Sequence, residues 1–236
     1  MANLKYKRIL LKLSGEAFGN AAHGLSAKKL ALVVREIRAL SRLGVELGIA
    51  IGGGNWWRKR DQAQTFHAVT ADYMGMTATV LNALALWQAL TKARVPSLVQ
   101  TAIGSEIPLV EPVNKSRARK ALSQGKVVIF AGGTGKPFFT TDTAAAQQAS
   151  LLGAEVLIKA GPADGVYSAN PNKYKNAQKF NRLTIKQALR LNLGVMDRQA
   201  FAWCEKNKIP IIVCKWQKGT VAKVVKGLSV GTRVTP

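Results

Sequence analysis

Histidine and cysteine are scarce in this chain, with two of each in 236 residues. His23, His67, Cys204 and Cys214 are too few and too scattered for a histidine–cysteine metal centre, and no Ser–His or Cys–His spacing supports acyl transfer. The cysteines fall on a predicted helix and the strand after it, which reads as two buried, reduced thiols. No apolar window approaches the length of a membrane span. The segment behind the early lysines is short, carries Lys12 in its middle and lacks a small-residue cleavage site, so a signal peptide is not expected and a soluble, cytoplasmic protein is. Linker-like tracts and internal repeats are missing too, and residues 1–236 are expected to form a single domain. Neither a Walker-type P-loop nor the dinucleotide fingerprint occurs, which removes the two commonest nucleotide-binding folds.

Acidic side chains are also few: 12 Asp and Glu stand against 35 Lys and Arg, a net charge of +23. An excess of one sign on this scale draws anionic partners from a distance. The cations are nevertheless dispersed, from Arg35, Arg38 and Arg42 through Arg117, Arg119 and Lys120 to Lys223 and Lys226. Dispersion fits solvated helix faces better than one nucleic-acid groove, so a nucleic-acid role is possible through charge but not favoured.

What is present is an alternation. Apolar runs at residues 8–13, 45–51, 97–101, 126–131, 156–159 and 211–215 read as strands. Helical patterns lie at 26–43, 69–90, 114–124, 143–152, 185–191, 198–206 and 221–226, with a turn-rich excursion over 161–179. Strands alternating with helices imply an α/β fold whose mostly parallel sheet is covered on both faces.

Three of the strands end in glycine. Residues 9–13 run into Ser14-Gly15, 45–51 into Gly52-Gly53-Gly54-Asn55, and 127–131 into Gly132-Gly133-Thr134-Gly135. Past the third loop, Thr140, Thr141 and Asp142 precede an alanine-rich helix whose N-terminus suits an anion. A single such loop describes any strand-to-helix connection; three suggest one crevice at the carboxyl ends of neighbouring strands. Lys12 and Lys159 each stand near the end of an apolar strand, and Arg58 follows the triple glycine. Strand-end cations of this kind stabilise a transferring phosphoryl group. Lys12 reads equally as a lysine on an exposed strand face, and Arg58 as a surface arginine beside Lys59 and Arg60.

The segments 11–17 (LKLSGEA), 51–55 (IGGGN), 70–76 (TADYMGM), 134–142 (TGKPFFTTD) and 164–167 (DGVY) together resemble the bacterial uridylate kinases of the amino-acid-kinase fold, over roughly residues 6–234. The resemblance implies a three-layer α/β/α sandwich, assembled as a homohexamer, that moves the γ-phosphate of ATP onto UMP with Mg²⁺ and with no metal site of its own. It implies Lys12, Asp142 and Lys159 at the reacting phosphates. On the ATP side it implies Lys12, Ser14, Gly15, Gly54, Arg58, Gly161, Tyr167 and Asn170. On the UMP side it implies Gly53, Asp72, Thr134, Gly135, Lys136, Pro137, Phe138, Phe139, Thr140 and Thr141, with Asp72 taking the ribose hydroxyls. Lys136 stands where the family usually has asparagine, Gly161-Pro162-Ala163 where it usually has Thr-Lys-Val, Asn170 where an aspartate is often found, and Lys59 where a glycine usually follows Arg58. Asp72 also reads as starting the long helix, Asp164 as shaping its turn and Asp197 as an N-cap, and Trp56 and Trp57 as packing or subunit-contact residues. Two other functions compete: a kinase of the same fold acting on a carboxylate or carbamate, and a non-catalytic nucleotide or nucleic-acid binder.

Overall fold

The computed structural model describes residues 3–236 apart from 21, 23, 59–64, 105 and 172, so His23 and Lys59 lie outside the described residues. In chain order the elements are β1 (Arg8–Leu13), a 3-10 turn (Gly15–Ala17), α1 (Ala27–Arg42), β2 (Glu46–Ile51), α2 (Ala68–Lys92), β3 (Ser97–Thr101), β4 (Glu111–Pro112), α3 (Lys115–Ser123), β5 (Val127–Ala131), α4 (Thr141–Leu152), β6 (Val156–Gly161), β7 (Val166–Tyr167), β8 (Lys179–Phe180), β9 (Arg182–Thr184), α5 (Ile185–Arg190), α6 (Arg198–Lys206), β10 (Ile211–Lys215), α7 (Thr220–Val225) and β11 (Thr232–Thr235).

Among the described residues, all but β7 and β8 form one nine-stranded sheet in the order β4-β3-β5-β2-β1-β6-β10-β11-β9. Every pairing in it is parallel except β10 with β11. The expected mostly parallel α/β architecture is therefore present. Because β2 lies on one side of β1 and β6 on the other, the strand order reverses at β1, where a crevice opens at the strand ends. β5, β2 and β1 are neighbours, so the three glycine loops emerge side by side.

Period-two alternation sorts the side chains into two cores. Ile9, Leu11 and Leu13 of β1 join Val33 and Ile37 of α1, Leu86 and Leu90 of α2 and Val224 of α7 on one face. Leu10 of the same strand joins Leu122 of α3, Ala145 and Ala149 of α4, Ala188 of α5 and Phe201 of α6 on the other. These are the three layers, helix, sheet, helix. Cys204 of α6 and Cys214 of β10 are free and buried, and burial pushes each thiol up to about 12.

Four boundaries depart from the expectations. α4 begins at Thr141 rather than residue 143, because Thr140 accepts hydrogen bonds from the backbone N–H of Asp142 (3.0 Å) and Thr143 (3.3 Å) and so caps the helix earlier. The excursion after β6 contains the antiparallel β7-β8 pair. β4, β9 and β11 are two to four residues long, too short to show a period in the sequence; neighbouring strands supply their hydrogen bonds. The 3-10 turn, finally, interrupts what reads as loop after Gly15.

Leu10 is fully buried between the sheet and α4, and a Cβ at Gly48 would stand 3.0 Å from its Cδ1. Leu10→Ala should therefore lower the unfolding free energy by about 2–5 kcal/mol, read from urea melts, with no change in the denaturant slope.

Candidate active site

Two lysines on adjacent strands carry the centre. Lys12 of β1 and Lys159 of β6 are Cα partners in the parallel ladder, and both follow the alternation onto the α4 side of the sheet. Like charges set opposite each other repel, and both side chains are largely withdrawn from water, with 13% and 24% exposure. Asp142, in the first turn of α4, lies between them: Lys12 Nζ is 3.0 Å from Oδ1 and Lys159 Nζ 2.7 Å from Oδ2. Lys159 also donates to the carbonyl of Val195. Lys12 is thus a largely buried, ion-paired side chain and does not stand on an exposed strand face.

Burial alone would raise the Asp142 carboxyl, but the charges of Lys12 and Lys159 outweigh it and hold the group below its usual range. For Lys159, burial is the larger influence, and its ammonium is held below the usual lysine range despite Asp142. The α4 N-terminus adds its partial positive charge beside the same carboxylate. Its cap is itself anchored: Asp197 Oδ2 accepts from Thr140 Oγ1 (2.5 Å), while Oδ1 accepts from Thr143 Oγ1 (2.8 Å) and the N–H of Ala200 (2.9 Å). Asp197 caps α6, as its position suggested, and also ties α6 to the start of α4.

Close approach between β1 and β2 builds the glycine walls. A Cβ on Gly15 would fall 2.4 Å from Asn55 Oδ1 and 2.5 Å from Gly54 N, so only glycine lets the two loops touch. Asn55 and Asn82 brace the second loop from below. Asn82 Nδ2 donates to Gly52 O (2.9 Å) and Asn55 Oδ1 (2.7 Å), and Asn82 Oδ1 accepts from Asn55 Nδ2 (3.0 Å) and Trp56 Nε1 (2.9 Å). Every polar atom of the fully buried Asn82 side chain is used. The third loop is held by Gly132 N–H donating to Thr79 Oγ1 at 2.7 Å.

Two chambers meet over these loops. One, of about 530 Å³, is lined by Lys12, Ser14, Gly15, Glu16, Gly52, Gly53, Gly54, Arg58, Thr140 and Thr141. The other, of about 290 Å³, shares Gly53, Gly54, Thr140 and Thr141 and continues to Trp57, Asp72, Met76, Thr134, Lys136 and Phe139. Arg58 reaches Glu16 Oε1 (2.5 Å) and Gly54 O (2.8 Å) across the rim of the larger chamber. Asp72 lies in the second turn of α2, whose N-cap is His67, so it neither starts nor caps that helix. Its Oδ2 accepts from the N–H of Phe138 at 2.8 Å. Phe138 has a left-handed backbone, φ +68°, costly for a bulky residue and a feature that clusters at ligand sites.

The remaining sequence candidates are distributed unevenly. Gly135 permits the tight turn, since a Cβ there would clash with Ala102 O at 2.4 Å, and Pro137 lies within the same loop. Thr134 Oγ1 accepts from Lys136 N–H at 3.2 Å, which orders the turn. Gly161 ends β6 two residues beyond Lys159. Tyr167 and Asn170 lie on the excursion, and neither lines the two chambers among the described residues. Asp164 accepts from the Tyr167 hydroxyl and from Lys179 Nζ, 2.8 Å each, bonds that shape its turn. Sequence reasoning missed Glu16, Trp57, Gly75, Met76 and Thr79 as chamber walls. A signal for three of them existed: with Asp72 they fall at i, i+3, i+4 and i+7, one face of a helix.

A doubly covered parallel sheet with glycine loops and paired lysines at its strand ends defines an α/β/α protein built around an anion-holding crevice. Residues 7–215 match the model of the Amino acid kinase family, and the chain belongs to that family. Among solved structures it is similar to a UMP kinase from Bacillus anthracis, at 32% identity and TM-score 0.93 over 98% of this chain and 96% of that one. It is similar also to a UMP kinase from Ureaplasma parvum, at 32% identity and TM-score 0.91 over 98% and 100% of the two chains. A uridylate kinase from Archaeoglobus fulgidus aligns at 28% identity and TM-score 0.74 over 96% and 99%.

Removing the Asn82 amide strands buried partners in the second loop, so Asn82→Ala should cost about 2–4 kcal/mol in chemical denaturation. Asp142→Asn leaves two ammoniums uncompensated and should cost about 2–4 kcal/mol at neutral pH. Because the folded Asp142 carboxyl lies below its ordinary value of 3.8, its contribution is complete above that pH and is lost as pH falls through the folded value. Stability measured from pH 6 downward should therefore fall less steeply below about pH 4 in Asp142→Asn than in the parent.

Proposed function

We propose that this chain transfers the γ-phosphate of ATP to UMP, giving ADP and UDP, as one amino-acid-kinase-like domain over residues 1–236. The observation that carries the reading is the junction of the two chambers at Gly53, Gly54, Thr140 and Thr141, beside the Lys12–Asp142–Lys159 cluster. Two phosphorylated molecules placed end to end would meet at this point, and the 32%-identical solved structures carry the UMP kinase name.

In this reading the larger chamber takes the ATP phosphates against Ser14, Gly15, Gly54 and Arg58, with Gly161, Tyr167 and Asn170 toward the nucleoside. The smaller takes UMP, its phosphate at Gly53 and its ribose at Asp72. Its base lies along the loop formed by Thr134, Gly135, Lys136, Pro137, Phe138 and Phe139, with Thr140 and Thr141 closing toward the phosphate. A UMP phosphate is already an anionic nucleophile, so no strong general base is required. The protein's task is alignment and charge neutralisation, supplied by Lys12, Lys159 and the α4 N-terminus. Asp142 keeps the two ammoniums apart and aimed. Arg58 exchanges Glu16 for a phosphate as ligand enters.

The described residues include no cluster of three acidic, histidine or cysteine side chains. A magnesium ion for this reaction would be carried on the ATP phosphates, with Asp142 as the carboxylate available to it at the junction. When bound it neutralises phosphate charge. Homohexameric assembly and a cytoplasmic location belong to the same proposal; among the described residues no helix is long and apolar enough to cross a membrane.

Purified protein with ATP and Mg²⁺ should release ADP only when UMP is supplied, and faster with UMP than with CMP or dUMP. Lys12→Met and Lys159→Met should each lower kcat by about 10²–10³, while Asp72→Asn acts mainly on KM for UMP. Release indifferent to any nucleoside monophosphate, or faster with carbamate or an amino acid, would sink the assignment.

A further inference from the structure

A second group of cations lies apart from the strand ends. Arg182 of β9 and Arg233 of β11 are Cα partners on parallel strands. Their successors Leu183 and Val234 are buried on the α4 side, so both arginines stand on the opposite face, where Arg233 neighbours Ile212 of β10. Two cavities, of about 110 and 390 Å³, share these two arginines. Lys5 lines the smaller one. It precedes β1, at the opposite end of that strand from Lys12. Its stem crosses Gly227, where a Cβ would come within 2.8 Å of Lys5 Cδ.

The arrangement is unfavourable as it stands. The register brings two like charges to neighbouring positions on one face of the sheet, and like charges repel. Among the described residues no carboxylate lines either cavity and none of the three cations forms a salt bridge. Arg233 Nε is buried without a hydrogen-bond partner, a cost of desolvation that nothing local offsets. This contrasts with the centre, where a carboxylate lies between two register-paired lysines.

We infer that Lys5, Arg182 and Arg233 form a second anion site that takes a small phosphate-bearing molecule. An incoming tetrahedral dianion relieves the Arg–Arg repulsion, gives Arg233 Nε its acceptor and suits the guanidinium fork. The larger cavity continues past Thr184 and Gln187, the capping pair of α5, and past Thr235, which leaves room for whatever carries the phosphate. The inference does not depend on the acceptor being UMP.

Isothermal titration of the full chain with inorganic phosphate, pyrophosphate and ADP, in separate arms and low-chloride buffer, tests it. In at least one arm the parent should show a binding component that Arg182→Gln and Arg233→Gln each weaken about tenfold or more. Both variants should retain basal UMP-dependent ADP release. Equal affinity for pyrophosphate and ADP identifies a site for the free anion; tighter ADP identifies one for a nucleotide. Arg182 is exposed, so if Arg233→Gln fails to fold, Arg182→Gln alone decides. Affinities unchanged by these substitutions in all three arms, or no such component in the parent, would overturn the inference.

Discussion

One carboxylate between two lysines is the constraint on which the functional end of the molecule depends. The parallel ladder sets Lys12 and Lys159 opposite each other, and their repulsion is offset only where a helix delivers Asp142 into the gap. That requirement dictates where α4 starts, why Thr140 must cap it and why Asp197 must hold the cap. Remove the carboxylate and the strand ends carry two inward ammoniums, with Lys159 left to the carbonyl of Val195. With it, both ammoniums are paired to one carboxylate at the mouth of the crevice.

The glycine loops obey a second constraint, contact distance. Gly15 sits so near Asn55 that no side chain fits, and Gly132 donates to Thr79 from a left-handed backbone. Loops this close leave backbone N–H groups as the main furniture of the crevice, a surface suited to phosphate oxygens rather than to particular side chains. Polar side chains enter at the periphery, as Asp72, Thr134 and Lys136 do in the smaller chamber.

Much of this was legible in the residues themselves. Apolar runs interrupted by Lys12 and Lys159, and three strands ending in glycine, pointed to a shared crevice, and the β5-β2-β1 adjacency explains why they share it. What the chain did not disclose was pairing. Nothing near Asp142 in sequence announces Lys12, because the ion pair is made by the ladder and not by local spacing. The strands β9 and β11 escaped because two to four residues cannot display a period, and their partners lie far along the chain. Asp72 was readable as a helix start only while the helix boundary was unknown; a helix beginning at Ala68 turns the same residue inward toward Phe138.

The tie from Asp197 has a bearing on how the protein comes into being. Thr140 and Thr143 wait on a carboxylate that follows them by 57 and 54 positions, and Lys159 waits on the carbonyl of Val195, 36 positions later. A chain still emerging from the ribosome can lay down β1, β2 and β5 and their glycine loops long before these late contacts exist. During that interval the crevice has its walls but not its bracing. The crevice is thus braced only once residues 195–200 are in place, in the last part of the chain to be made.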